Sequence, residues 1–590
     1  MHLARQKAFD HSSAPVYHGV SAPVCMHIAH CAALAAALLL GACGGGGGGA
    51  GPAPGDPVPP NPAPVVTAPR PTTQPLTTEV FVNGPAEFSV AAEGEGIRYQ
   101  WQRDGLDLPG ATAPSLILPQ AGVADSGRHF RVVLSNAGGS VTSDAAALLV
   151  ADKAWSKEQK LETNDSGGAS HTQVAMDGIG NAFVVWSQRS AGRESVWVNQ
   201  YSAAGAAWGT ASLLEFDDIT GTGSPAVAAT AGGDAMVVWT QGAGDALMQS
   251  ALFFADAAVW SSPIAVENPA ALEGTADSDP VLTLDEAGNA LALWVQQGPT
   301  GQRNLKAARF DRGTLKWEPA ALIETADGAV REVSLQVRSD ADGNAMALWV
   351  QSDGTRDDLW ASRFDAATRT WGNAAQVEDV DDAVVGTPSL ALQANGDAVV
   401  AWRQVNAGAT VVKARRYTAA SRAWGAEARL EPLAGAPGDP SAAIDANGNA
   451  MVIWNLSAPD ASRSFHVRVA RSPAGSQDWA APRTLSSSRF PFNFPRGVSA
   501  RIAFDGDGNA TALYSSTPDP ERGIQFIQAQ RYYAVADDWG TAFKLDDSST
   551  PHDKSTATLM MRSDGSGIAT WNRFDDNNGA SLYANNYRAP

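Results

Sequence analysis

The residues with the clearest chemical potential are two histidines near the two ends of a repeat array. His171 and His552 stand in corresponding connections of the first and last repeats, with Asp165 and Asp553 close to them in sequence. An imidazole beside a carboxylate can act as a general base or bind a metal ion. If the array closes into a ring, we expect these connections to be neighbours and to form a site. The alternative is that both are ordinary surface histidines.

A second candidate is an aromatic loop, "RFPFNFP" at 489–495, in an otherwise polar connection. Its residues Phe490, Phe492 and Phe494 could stack on sugar rings or insert into a partner. The alternative is a loop that folds onto its own repeat or plugs a channel. We predict a binding role for these residues and for the two histidines, and we predict no catalytic set.

Carboxylates recur where the fourth strand of each repeat is expected to end. Either they form an acidic ring that attracts cations, or each makes a repeated structural bond, which we favour because the position follows the repeat. We also favour a structural role for the glutamines that follow a repeated Trp by two residues. The carboxylates are Glu162, Glu215, Glu267, Glu324, Glu378, Glu431 and Asp546, and the glutamines are Gln188, Gln241, Gln296, Gln351 and Gln404.

The turn "D-x-x-G-N" has two possible functions. In "DADGN" (340–344) and "DGDGN" (505–509) it resembles the start of a calcium loop of the EF-hand or integrin type. The later carboxylate of such loops is missing, because Leu513 stands there. We therefore predict a structural turn in which the Asp binds turn amides and the Gly supplies a positive φ. Calcium at a minority of turns is the alternative, and no other cofactor or metal site is expected.

The elements that position these residues repeat eight times. One Trp or Tyr ends a strand that is apolar on both faces, and a second Trp follows in step. The first set is Trp186, Trp239, Trp294, Trp349, Trp402, Trp454, Tyr514 and Trp571, and the second is Trp155, Trp208, Trp260, Trp317, Trp371, Trp424, Trp479 and Trp539. Four strands in each repeat of roughly fifty residues, covered on both faces, are typical of β-propeller blades.

The ends of the array predict how the ring closes. Residues 154–162 read as a fourth strand without the first three, and 581–590 as a third strand without a fourth. We predict that they share one blade, since pairing them removes an exposed sheet edge. The fold class is therefore all-β, with an eight-bladed β-propeller at 151–590. Its long, irregular connections gather on one face, where we expect binding.

Residues 77–150 alternate apolar and polar in short runs, which predicts a β-sandwich. "YQWQRDG" around Trp101, followed by "ADSG" and "FRVVLSN", resembles an immunoglobulin-like domain of bacterial surface proteins. The resemblance implies that Trp101 is the core Trp of the third strand. The usual cysteine pair is absent, and Val90 and Val132 stand as its replacements. We interpret this domain as a spacer rather than an adhesion site.

The N-terminal segment has the features of a targeting sequence. "CAALAAALLLGAC" (31–43) is a short apolar run that resembles a bacterial lipoprotein signal peptide ending in a lipobox. The resemblance implies cleavage after residue 42, acylation of Cys43, and an outer-membrane location on the periplasmic or outer side. An ordinary secretory signal peptide is the alternative. The Gly- and Pro-rich stretch that follows predicts a disordered tether over 43–76.

The totals exclude some partners and leave the activity open. The formal net charge is -20, so nucleic acid, which needs a concentrated positive face, is not expected as a partner. The membrane is expected to be reached through the lipid anchor alone. Three functions fit: a non-catalytic binding or scaffold lipoprotein for a glycan or an envelope or extracellular protein, which we favour; a polysaccharide-active glycosidase or lyase; and an outer-membrane assembly factor.

Overall fold

The computed structural model describes residues 66–589 with short gaps. The gaps are 164–166, 191–192, 216–222, 243–246, 268–274, 277–278, 299–300, 325–327, 332–333, 380–382, 407, 432–433, 460–463, 490–498, 520–523, 547–553 and 576–578. The described part is built almost wholly of strands, with one 3-10 turn at Val123–Asp125. Within it, no helix has the length and apolar character needed to cross a membrane.

Residues 66–151 form a β-sandwich around one apolar core. Trp101, Phe130 and Val132 are fully buried in that core, and Val90 is buried with them. The Phe88 ring stacks on Phe130 with centroids 4.7 Å apart. The strands are Arg70–Thr73, Thr78–Phe81, Ala86–Ser89, Ala91–Glu93, Arg98–Arg103, Leu106–Asp107, Ser115–Leu118, His129–Asn136, Gly139–Thr142 and Ala146–Ala151.

The first sandwich strand lies inside the stretch whose composition predicts a tether. Arg70–Thr73 pairs antiparallel with Ala91–Glu93, although Pro71 interrupts the run. A proline is tolerated there because this strand lies at a sheet edge, where one backbone N–H can be lost. The ordered domain therefore begins a few residues before position 77.

Residues 154–588 form eight antiparallel sheets, the blades of a propeller. The inner strands are Ala169–Met176, Ala226–Ala229, Thr275–Ala276 with Val281–Leu284, Ala329–Val330 with Gln336–Ser339, Val384–Leu392, Ala436–Pro437 with Ser441–Ile444, Arg501–Phe504 and Lys554–Met561. The second strands are Ala182–Ser190, Ala235–Gln241, Ala290–Gln297, Ala345–Ser352, Ala398–Asn406, Ala450–Ser457, Ala510–Asp519 and Gly567–Asp575.

The third and outer strands complete each blade. The third strands are Arg193–Ser202, Leu247–Phe254, Arg303–Asp311, Asp357–Asp365, Ala409–Thr418, Ser464–Ser472, Ile524–Tyr533 and Gly579–Arg588. The outer strands are Ala207–Trp208 with Ser212–Leu213, Val259–Trp260 with Ile264–Ala265, Lys316–Trp317 with Ala321–Leu322, Thr370–Trp371 with Ala375–Gln376, Ala423–Trp424 with Ala428–Arg429, Arg483–Arg489, Asp538–Trp539 with Phe543–Lys544, and Ala154–Trp155 with Gln159–Lys160.

The ring closes as the sequence predicts. The outer strand of blade 8 comes from the N-terminal side of the propeller, where Ala154 pairs with Arg588 and Gln159 with Ala584. Leu161 is fully buried in the core between blades 8 and 1. The inner strands contact one another in an unbroken cycle from blade 1 to blade 8 and back to blade 1. The eight-bladed architecture and its closure by an N-terminal strand are thus confirmed.

The repeated Trp explains why each second strand is apolar on both faces. In blade 3, Trp294 packs toward blade 2, whereas Leu291 and Leu293 pack toward blade 4. Trp294 and all its equivalents, including Tyr514, have no exposed surface. Replacing such a residue by Ala typically costs about 3–5 kcal/mol, so these positions hold the ring together. Their number therefore reflects packing and not eight binding sites.

The outer strand is shorter than the sequence predicts. In seven blades it splits into two two-residue segments, both paired with the third strand. The second Trp lies in the first segment and packs on an aromatic ring opposite, as Trp317 does on Phe310 with centroids 5.4 Å apart. In six of these blades a Gly or Pro follows that Trp within three residues and interrupts the ladder.

Candidate binding site in the central channel

The eight inner strands enclose a central channel, and their composition differs from that of the whole chain. Within the described inner strands there is no Asp or Glu, although the chain carries a net charge of -20. Arg338 and Arg501 stand on these strands, in blades 4 and 7. The described inner strands therefore carry positive but no negative side chains, although Asp279 and Asp439 lie between the two segments of the inner strands of blades 3 and 6.

Arg338 folds over the free inner edge of its strand. Backbone groups point alternately to one side and the other along a strand. Asp340 N–H donates to Asn344 O on the second strand, so the carbonyl of Val337 points to the unpaired side. The guanidinium donates to this Val337 oxygen at 2.8 Å. Solvent reaches part of the Arg338 side chain. The surrounding strands nevertheless desolvate its guanidinium, which lowers its pKa below the usual range.

Arg501 has the same relation to its own strand. Its guanidinium donates to the carbonyl of Ala500 at 3.4 Å. Desolvation lowers the pKa of Arg501, and the charge of Asp439 opposes that shift. Among the described residues, neither Arg338 nor Arg501 has a carboxylate within ion-pair distance. Both therefore keep most of their five N–H donors available.

An ion pair lies beside the same channel, in blades 5 and 6. Arg403 Nε donates to Asp439 Oδ1 at 2.7 Å, and Thr387 N–H donates to the same oxygen at 3.2 Å. Gly386, with φ +76°, lets these groups approach, because a Cβ there would overlap both the Arg403 and the Asp439 side chains. Asp439 lies between the two segments of the inner strand of blade 6, and Arg403 lies in the second half of its own strand, so the pair lies toward the end of the channel where the long connections enter.

His171 lies in the inner strand of blade 1, at a bulge. The ladder register shifts between Ser170 and Gln173, and His171 takes a left-handed conformation with φ +51°. Its side chain is exposed, and Nδ1 lies 3.1 Å from Ser170 Oγ. Bulges and strained non-glycine residues often mark functional positions. The structure therefore places this predicted residue at the rim of the channel.

Other predicted site residues lie outside the described part of the chain. These are Cys43, His552 with its neighbour Asp553, Asp165, and the loop residues Phe490, Phe492 and Phe494. The inner strands of blades 1 and 8 are adjacent, and Asn572 Nδ2 donates to Ala169 O across that boundary at 2.7 Å. The pairing of His171 with His552 stays a prediction.

The carboxylates at the ends of the outer strands tie each outer strand to the third strand of the same blade. Glu324 accepts the Leu305 N–H of the third strand at 2.8 Å. The equivalent carboxylates Glu162, Glu215, Glu378 and Asp546 accept backbone N–H groups in the same way. Burial raises the pKa of Glu324 and of Glu378 to about 7. These side chains are a repeated structural bond, as favoured from the sequence.

The glutamines that follow the repeated Trp also have a structural role. Trp186 Nε1 donates to Gln188 Oε1 at 3.0 Å, and Gln188 Nε2 donates to Gly167 O at 2.9 Å. The pairs Trp239–Gln241, Trp349–Gln351 and Trp402–Gln404 repeat the first bond. These four glutamines thus each satisfy a buried indole, which would otherwise lose its hydrogen bond to water, whereas Trp294 Nε1 has no hydrogen-bond partner among the described residues.

The "D-x-x-G-N" turns are held by their own residues. Asp340 Oδ1 accepts the N–H groups of Asp342 at 3.1 Å and Asn344 at 2.9 Å. Arg363 binds Asp340 Oδ2 at 2.9 Å, and Arg531 binds Asp505 in the same way in blade 7. These acids are therefore engaged by turn amides and an arginine. Within the described ranges, no cluster of three or more His, Cys, Asp or Glu is arranged to hold a metal ion.

Several cavities lie away from the channel. A cavity of about 700 Å³ separates blades 1 and 2 on the face of the "D-x-x-G-N" turns and includes Phe183, Tyr201 and Trp208. Phe183 and Tyr201 are buried, so they offer no open ring face for stacking. A cavity of about 310 Å³ lies between the sandwich and the last two blades.

Sequence reasoning missed Arg338 and Arg501, although a signal existed. Each stands at an inner-strand position where the other repeats carry an uncharged residue. Two residues before the turn, the equivalents of Arg338 are Ala175, Ala228, Thr283, Ala391, Ala443, Ala503 and Met560. Four residues before the turn, the equivalents of Arg501 are Gln173, Ala226, Val281, Gln336, Ser389, Ser441 and Thr558. Aligning the inner strands and asking where charge departs from the repeat would have found both.

Comparisons with known proteins add little to this geometry. No known protein family matches the chain, and no curated protein is similar to it. Among solved structures, the polysaccharide lyase Uly1 is 9% identical, with 73% of this chain and 93% of that chain covered and a TM-score of 0.41. A protein of unknown function from Dyadobacter fermentans is 13% identical, with 54% and 98% covered and a TM-score of 0.35.

A likeness to a smaller protein covers one part of the chain. A chimeric titin Z1Z2 protein is 28% identical, with 15% of this chain and 96% of that chain covered and a TM-score of 0.13. All three TM-scores lie below 0.5, so no statement about function follows from these likenesses. The structure itself defines the class of protein: a β-sandwich followed by a closed eight-bladed propeller.

Proposed function

We propose that this chain is an envelope-anchored, non-catalytic binding protein, whose partner is a glycan or another envelope protein. The partner binds at the end of the central channel where the long connections enter. One observation carries this proposal: three of the charged or strained groups beside the inner strands lie toward that end, whereas Arg338 stands two residues before the turn at the opposite end. Arg501 begins its inner strand, Asp439 lies between the two segments of another, and His171 lies in the first half of a third.

The rest of the chain fits a display function. The sandwich acts as an immunoglobulin-like spacer, and Glu79 fixes it to blade 7 by accepting Tyr533 Oη at 2.6 Å and Thr541 N–H at 2.6 Å. The preceding Gly- and Pro-rich segment acts as a tether from a lipid on Cys43. A ring on a tether of this kind would reach long polymers or other envelope proteins.

Retention on a polysaccharide array tests the proposal. The full chain carrying Cys43→Ser, which prevents lipidation, would be presented with bacterial and host polysaccharides. The assay records both the retained protein and the newly released reducing ends. Retention without release is the expected result. Failure to bind any glycan, together with capture of one envelope protein by crosslinking, would assign the mouth to a protein partner and would favour an assembly factor.

A polysaccharide-active enzyme is the second candidate, and the strained His171 favours it. A histidine fixed at a bulge of an inner strand could remove a proton from a sugar bound in the channel. In the same assay, release of reducing ends or unsaturated products that His171→Gln abolishes would support this candidate. Such a result would overturn the non-catalytic proposal.

A further inference from the structure

The two channel arginines differ from most others in the ring because, among the described residues, neither has a carboxylate within ion-pair distance. Other arginines on the strands of the ring form ion pairs, as Arg363 does with Asp340 and Arg403 with Asp439, and the buried Arg416 donates instead to Ser472 and to backbone carbonyls. Arg338 and Arg501 each donate to one backbone carbonyl of their own strand. Enclosing a charge without a partner costs free energy. A ligand that supplies the missing negative charge would recover this cost.

We propose that Arg338 and Arg501 bind the carboxylate or sulfate groups of an acidic glycan that enters the central channel. This inference rests on the proposed binding function and names the class of its ligand. A guanidinium binds such an anion through two parallel N–H groups, which gives both strength and orientation. Because the two residues stand in different blades, they contact two acidic groups of one chain, or one group from two sides.

The neighbouring groups favour a saccharide over a simple polyanion. The described inner strands also expose His171 and Gln173, whose polar atoms can hydrogen-bond with hydroxyl groups. The net charge of -20 repels densely charged polymers such as nucleic acids over a long range. A polymer with spaced acidic groups and many hydroxyls meets less of this repulsion and uses both kinds of donor.

Binding to three dextrans with one common backbone tests the inference. Neutral dextran, carboxymethyl dextran and dextran sulfate of equal length would be offered to the full chain carrying Cys43→Ser at about 0.15 M salt, where exposed charges are screened beyond roughly 8 Å. The variants are Arg338→Gln, Arg501→Gln and the double change. Arg422→Gln is the matched control, because its side chain is 78% exposed and lies on a short turn.

We expect the wild type and Arg422→Gln to bind the acidic dextrans alike, and each channel variant to lose affinity about tenfold or more, as for a lost charge-assisted contact. Melting temperatures provide the check on folding. Since an enclosed charge without a partner is removed, neither channel variant should melt below the wild type. A loss of binding that accompanies unfolding would instead assign the two arginines a structural role and overturn the inference.

The remaining outcomes separate this inference from the proposed function. Equal binding of neutral and acidic dextrans, unchanged in the double variant, would overturn the anion site and leave the glycan-binding function intact. Inorganic sulfate is the second probe. If sulfate raises the melting temperature of the wild type but not of the double variant, while no dextran binds, the anion site is supported. Its ligand would then be a free anion, and the glycan would be excluded.

Discussion

At the scale of single residues, most of the repeated polar side chains make structural hydrogen bonds inside the ring, and few of them are available for binding. Glu324 and its equivalents are buried and accept backbone N–H groups. The indole of Trp454 has a different hydrogen-bond acceptor from its equivalents. Leu456 replaces the usual glutamine there, and Trp454 Nε1 donates instead to Glu431 Oε2 at 2.8 Å. A carboxylate in this ring is therefore first an acceptor for a neighbour.

The pH dependence of stability is a prediction at this scale. The pKa of Glu324 rises from 4.5 to about 7 on folding, so between these values the folded state binds more protons than the unfolded state. The free energy of unfolding should therefore fall as pH rises from about 4.5 to 7, by up to about 3 kcal/mol for this group. Glu324→Gln should remove that part of the loss in urea titrations at several pH values.

The control for this prediction is Glu87→Gln, which changes the charge equally at an exposed position of the sandwich. This variant should follow the wild-type pH dependence. If Glu324→Gln follows it as well, burial does not hold the Glu324 proton in the folded state, and the cause assigned to its pKa is wrong.

At the scale of elements, the decisive feature is the strand that closes the ring. Residues 154–160 supply the outer strand of blade 8, which is otherwise assembled from the C-terminal end of the chain. Without it, the third strand Gly579–Arg588 would present a free edge, and Leu582 would lose its cover from Leu161. Closure of this kind makes the stability of every blade depend on the joining of both ends of the propeller.

Truncation of Leu161 tests the closure. Leu161→Ala removes a fully buried side chain, which should lower the free energy of unfolding by about 2–5 kcal/mol. Leu213→Ala is the matched control, because Leu213 also lies in an outer strand but is 48% exposed. Deletion of 154–162 should lower the melting temperature of the whole propeller. A deletion protein that melts with the wild type would contradict ring closure.

At the scale of the whole molecule, the sandwich and the propeller are joined by packing as well as by the chain. Tyr533 of blade 7 packs with Ala147 and Leu149 of the sandwich. Gly127, with φ +82°, approaches so closely that an added Cβ would lie 2.8 Å from Val535 Cγ2. The sandwich is therefore fixed against the ring by packing as well as by hydrogen bonds.

Removal of one acceptor tests this junction. Glu79→Ala leaves Tyr533 Oη and the exposed Thr541 N–H without their carboxylate, which should cost about 1–3 kcal/mol, chiefly because the buried Tyr533 loses its acceptor. We expect faster proteolysis between the domains and a larger radius of gyration in solution scattering. Glu93→Ala, at an exposed position of the sandwich, should change neither quantity. Identical scattering and proteolysis in both variants would show that Glu79 does not hold the junction.

The sequence by itself determined the local and repeated features of this protein. A strand pattern with one Trp per repeat specifies a blade, because hydrogen bonding and alternate burial act between strands that are close in the chain. The two incomplete ends specify closure for the same reason. Trp101 and the buried Val90 and Val132 also follow from alternation in the sandwich. The structural role of the strand-end carboxylates could be inferred because it repeats.

Only the tertiary structure decided what the repeats do not encode. Arg338 and Arg501 are 163 positions apart, and each blade contributes one inner strand to the channel, so their relation arises only when the ring is closed. The same holds for Glu79, which meets Tyr533 across 454 positions. A charged residue does not stand out in a sequence that contains many charged residues. Its role depends on which partners the fold brings within reach, and among the described residues closure of the ring brings no carboxylate within ion-pair distance of these two arginines.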